Sequence, residues 1–180
     1  MGRRASWSLA AGLVLGSASV VAAAGPSLDV PATVATSALR VSPPTESVVD
    51  PLARLQAELV TIINLERGRV GLPLMASDDR VAEAAHAHAV DMAAMASLQH
   101  AGSDGSDAGL RLDRTGYRWS DWGENIAVGF ADPVALFAAW MNSPEHREHL
   151  LGAFSDIGVG VSEASGGSLY WSLVVATPTP

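Results

Sequence analysis

The chain has 180 residues, 19 acidic against 11 basic side chains and no cysteine, and every basic one is arginine. That suits one soluble globular domain with attachments; it excludes lysine Schiff-base chemistry, a P-loop, cysteine nucleophiles, disulfides and thiolate metal sites. A net charge of −8 with no basic cluster in the body of the chain offers nothing to neutralise phosphates, so nucleic acid is not an expected partner.

Met1-Gly-Arg3-Arg4 is a positive start, Leu9 to Val21 is uncharged and mostly apolar, and Ala22-Ala23-Ala24 ends in small residues. This pattern reads as a signal peptide over residues 1–24, cleaved after Ala24 and followed by the general secretory route. The alternative, an uncleaved anchor, has an apolar part shorter than the roughly 20 residues of a span, so no stable membrane span is expected after cleavage. Residues 25–52 are rich in Pro, Ser, Thr and Val and read as a linker, which leaves residues 53–180 for the domain.

Asp50-Pro51 pairs an N-cap with proline at the first helical position, and Leu52, Leu55, Leu59, Ile62 and Ile63 follow at helical spacing. A helix over about 51–69 is expected, closed by Gly71. Ser77 is expected to cap a second helix over about 78–97, with Asp78 and Asp79 in its first turn and Val81, Ala85, His88, Met92 and Met95 as its apolar stripe. A short helical pattern ends at Gly116, a strand is expected at Glu124 to Val128, and Asp132-Pro133 repeats the cap signature before Val134, Leu136, Phe137, Trp140 and Met141. Ser143-Pro144 stops that helix and opens another. Then the period becomes two: Ile157, Val159 and Val161 alternate with small residues, Ser165-Gly166-Gly167 turns, and Leu169 to Ala176 is apolar enough for a buried strand. The fold class is therefore α+β, with helices packed on an antiparallel sheet.

Five histidines carry most of the chemistry: His86, His88, His100, His146 and His149. His100 just past a helix, Glu124 beside a glycine and His146 in a short helix form either a divalent-metal set or a buried hydrogen-bond network. His88 falls on the apolar stripe, while His86 and His149 are expected in solvent and Arg147 is expected to pair with a carboxylate. Tyr117, Trp119 and Trp122 precede Gly123-Glu124, where they either wall a groove or pack the core.

Asn64-x-x-Arg67, Gly71-Leu72-Pro73-Leu74, His100, Gly123-Glu124-Asn125-Ile126-Ala127, Trp140-Met141-Asn142-Ser143-Pro144-x-His146-Arg147 and Ile157-Gly158-Val159-Gly160 occur in this order. Together they resemble the bacterial branch of the CAP superfamily, which takes in cysteine-rich secretory proteins, antigen 5 and pathogenesis-related proteins. The resemblance covers about residues 53 to 178. It implies an α-β-α sandwich around a three-stranded antiparallel sheet, secretion to the extracellular or cell-envelope space, and a shallow cleft carrying two histidines and two acids in many relatives. His100, Glu124 and His146 match three of those positions. Serine stands where eukaryotic relatives carry the fourth, and Glu145, next to His146, is expected to point elsewhere.

The expected function is binding of a lipid, sterol or cell-wall component in that cleft, with Tyr117, Trp119, Trp122 and Asn125 as lining residues. Zinc or another divalent cation on His100, His146 and Glu124 is the cofactor to test. A hydrolase acting on a peptide or glycan is the alternative, with Glu124, His146 and Ser143 as catalytic candidates; a scaffold without a small-molecule site is the third reading. Ser143 reads equally as an N-cap, and no oxyanion hole is visible.

Overall fold

The computed structural model describes residues 50–180, which lie within one compact unit. The expected signal peptide and all but the last residues of the expected linker lie outside the described residues. Helix α1 spans Pro51–Arg69, with the Asp50 carboxylate accepting from the Leu52 backbone N–H. Pro51 and Leu52 thus belong to the domain. The remaining elements are β1 (Ala76–Ser77), α2 (Asp79–Met95), α3 (Ala108–Arg114), β2 (Trp119–Val128), α4 (Pro133–Met141), α5 (Pro144–Leu151), β3 (Asp156–Glu163) and β4 (Leu169–Pro178). Asp78, not the expected Ser77, caps α2, and Asp132 caps α4; their carboxylates satisfy backbone N–H groups that have no partner inside the helix.

The strands form one sheet in the order β1-β3-β4-β2. β3 and β4 make an antiparallel hairpin, β2 lies antiparallel to β4 with Glu124 opposite Val174 and Asn125 opposite Leu173, and β1 pairs parallel to β3. The sheet is therefore four-stranded and mixed, because a two-residue parallel bridge joins the expected antiparallel three. β2 also starts five residues before the expected strand and puts Glu124 in mid-strand.

Because side chains alternate across a strand, the sheet presents two apolar faces. Ile157, Val159, Val161, Trp171, Leu173 and Val175 pack with Leu59, Ile63, Leu136, Trp140 and Leu150 of α1, α4 and α5. On the opposite face, Val174 and Ala176 pack with Val81, Ala84, Ala85 and Leu112 of α2 and α3. This is a helix-sheet-helix sandwich. Gly158 and Gly160 face α2, where an added Cβ would stand 2.2 Å from the Ala82 backbone nitrogen and 2.4 Å from the His86 Cα. The alternation of apolar residues and glycine in β3 thus builds a core on one side and lets a helix backbone touch the strand on the other.

Candidate functional site

Glu124 is 4% exposed on the β2 face covered by α2 and α3. A buried carboxylate needs partners, and this one has them on both oxygens. Oε1 accepts from Arg111 Nη2 at 2.6 Å and from the Ser172 hydroxyl at 3.3 Å; Oε2 accepts from His100 Nδ1 at 2.8 Å. Arg111, itself 5% exposed, also donates to the Ser106 and His100 carbonyls and so ties the 100–106 loop to the strand. Burial pushes the Glu124 carboxyl up, but His100, Arg111 and His88 outweigh it and hold it below the usual glutamate range. The same hydrogen bond raises the His100 imidazole above its ordinary value, against burial and the Arg111 charge.

His88 is fully buried on the α2 stripe, with Nε2 donating to the Gln99 carbonyl at 2.9 Å. Burial keeps its pKa low, so the ring is neutral and Nδ1 carries a lone pair with no hydrogen-bond partner among the described residues.

The next residue of β2 points the other way. Asn125 is fully buried against α5: Nδ2 donates to the His146 carbonyl at 3.0 Å and Oδ1 accepts from His149 Nδ1 at 2.7 Å. Gly123 makes this possible, since a Cβ there would meet the His149 ring at 2.4 Å. α5 is held from below by Arg67, which is 1% exposed and has no carboxylate partner among the described residues. Its guanidinium donates to the carbonyls of Pro73, Leu150, Gly152 and Phe154, satisfying the end of α5 with a positive charge. Asn64 similarly clamps Met75 through the backbone N–H and carbonyl.

Between these two sides lies an open cleft of about 460 Å³ over the edge strand β2. His100, Ser106 and Asp107 border it from the loop before α3, Trp122, Gly123 and Glu124 from the strand, and Glu145, His146 and His149 from α5.

Several expectations change here. Tyr117 is 1% exposed and its hydroxyl donates to Asp156, so it belongs to the core. Trp119 donates to the Gly109 carbonyl and packs edge-on against Trp122, which alone of the three aromatics borders the cleft. Asn125 sits behind the cleft and positions α5. His149 is half-buried in the cleft, since α5 turns that face toward β2, and Glu145 borders it too because the first turn of the helix opens onto the groove. Arg147 is exposed, with no ion pair among the described residues.

The model of the cysteine-rich secretory protein family, CAP, matches residues 60–175. The chain belongs to this family. An uncharacterised protein, YkwD of Bacillus subtilis, is 30% identical over 121 residues, covering 67% of this chain and 47% of the relative. Among solved structures, an extracellular protein of Bacillus anthracis containing an SCP domain is similar at 30% identity and a TM-score of 0.64, over 69% of this chain and 41% of that one. An outer surface protein of Borrelia burgdorferi shares the fold at 19% identity and the same TM-score, over 68% of this chain and 92% of that one. The CAP chain thus spans about half the length of the Bacillus relative it matches.

In this CAP domain the trio expected to bind metal does not fit a three-ligand site. Both Glu124 oxygens and the inner nitrogen of His100 are spent on one another and on Arg111. Among the described residues no group of three His, Asp or Glu side chains could hold a metal ion. Ser143 stands at the N-cap of α5, outside the cleft lining, and its hydroxyl makes no capping bond.

Two residues escaped the sequence reading although their spacing carried a signal. Arg111 lies three residues after buried Ala108 and next to buried Leu112, on the inward stripe of α3. His149 lies one helical turn after His146, on the same side of α5.

Proposed function

We propose that this CAP domain is an extracytoplasmic binding module whose cleft takes a polar component of the cell envelope. The observation that carries this reading is the Glu124–Arg111–His100 cluster: an ion-paired charged floor beneath an open cleft, with one indole, Trp122, at its wall. Such a lining suits a ligand with both polar groups and an apolar face better than a lipid tail or a sterol. The N-terminal pattern of residues 1–24 supports export. So does the description of the Bacillus anthracis relative as extracellular, and that of the Borrelia protein as an outer surface protein.

Calorimetry of the exported chain with a soluble disaccharide-tetrapeptide of peptidoglycan tests the reading, beside phosphatidylglycerol vesicles and cholesterol micelles. Saturable binding of the wall fragment, lost in Trp122→Ala, is the expected result. Uptake of vesicles or cholesterol without the fragment overturns it.

The His100–Glu124 hydrogen bond favours a second reading, a hydrolase. A carboxylate that orients and raises an imidazole is the arrangement of a general base, here facing a cleft also bordered by His146. Its mark is turnover of the wall fragment that disappears in His100→Ala and in His146→Ala while the fold is kept. Turnover surviving both changes removes this reading.

A further inference from the structure

The two sides of the cleft share one device. Successive residues of β2 each take the inner nitrogen of an imidazole, Glu124 that of His100 and Asn125 that of His149. The direction of each bond follows from its partners. The His146 carbonyl can only accept, so the Asn125 NH₂ faces it and Oδ1 faces His149. His149 Nδ1 must therefore carry the hydrogen, and Nε2 of the neutral ring carries the lone pair. Glu124 likewise can only accept, so His100 Nδ1–H is the donor there.

His149 lies over Gly123 and borders the cleft, with Trp122 on the adjoining strand residue. Resting on the reading of this cleft as a binding site, we propose that His149 is a specificity-determining contact: its Nε2 accepts a hydrogen bond from a hydroxyl of a sugar ring stacked on Trp122, and the ligand is a glycan chain.

Three observations favour a sugar. A fixed lone pair requires a donor from the ligand, and a hydroxyl supplies one. A pyranose has an apolar face for the indole and hydroxyls at its rim. Asp107, Glu124 and Glu145 place carboxylates around the same cleft, which disfavours a phosphate or carboxylate group. Burial keeps the His149 ring neutral, opposed by Glu148 and the Glu124 carbonyl, so the lone pair is present at neutral pH.

The test uses the full chain, with N-acetylglucosamine tetramer and tetra-alanine as probes. Tryptophan fluorescence reads binding, and long-range proton-nitrogen correlation reads the tautomer of His149. The expected result is an Nδ1–H tautomer, a change in the Nε2 resonance on adding the sugar, and an affinity reduced about tenfold in His149→Phe. In His149→Gln, which restores a carbonyl acceptor at similar reach, the affinity is expected to be kept. The Nε2 resonance is read in the unaltered chain, so the outcome does not depend on the variants folding. An Nε2–H tautomer, or sugar binding equal in the two variants with Nε2 unmoved, overturns the role of His149 and leaves the binding function standing. Binding of tetra-alanine without the sugar makes the ligand a peptide and overturns the glycan assignment. Failure of both probes, together with failure of the wall fragment, overturns the cleft as a binding site.

Discussion

Removing the charge of Glu124 would leave Arg111 buried at 5% exposure without its counter-ion, and that cost exceeds the loss of one hydrogen bond. Glu124→Gln is expected to destabilise the domain by about 3–5 kcal/mol in urea unfolding. The pH dependence has a definite sign. Glu124 titrates lower in the folded chain than in the unfolded one, so its contribution is present above the ordinary glutamate range and drains away as pH falls through the depressed value. His100 is shifted upward: its contribution is complete below the ordinary histidine value and is lost as pH rises through the raised one. Melting temperatures between pH 3 and pH 9 should therefore fall on both flanks, with the alkaline fall reduced in His100→Ala. A wild-type curve flat from pH 6 to pH 9 would contradict the His100–Glu124 pair.

Elements meet here at backbone distance where glycine allows it, and the α2–β3 contact is the tightest case. A methyl group at Gly160 would lie 2.4 Å from both the His86 nitrogen and Cα, atoms of a helix that cannot step aside locally. Gly160→Ala is expected to cost about 1–3 kcal/mol or more and to shift α2, which carries His88 beneath the Glu124 cluster. Gly166→Ala is the control, because its added Cβ meets nothing within 4 Å. Equal urea midpoints for the two variants would count against the packing described. The helices themselves were legible in advance because caps and periodicity are local. Asp50-Pro51 and Asp132-Pro133 open α1 and α4 where the sequence reading placed them, and α2 ends within two residues of its expected limit. β1 was not legible: two residues become a strand only when Ala76 meets Asp156, eighty positions away.

At the scale of the molecule, residues 50–180 supply both apolar faces of one sheet and helices that pack on each of them. A fragment of those residues is expected to melt in one cooperative transition within a few degrees of the full chain; a broad or absent transition in calorimetry would show that the preceding segment is needed. The sequence by itself determined the fold class, the chain order of helices and hairpin and the family, and it singled out His100, Glu124 and His146, which the fold brings to one cleft. Each of these rests on neighbours within a few positions or on ordered motifs. Only the tertiary structure decided who partners whom. It put Arg111 on Glu124 and His149 on Asn125, took Tyr117 into the core with Trp119 partly buried against it, and spent both oxygens of the carboxylate expected to hold a metal. The reason is physical: periodicity tells which face of an element is buried, whereas the partner that satisfies a buried polar group is supplied by a different element, and its identity exists only after the sheet and helices have closed on one another.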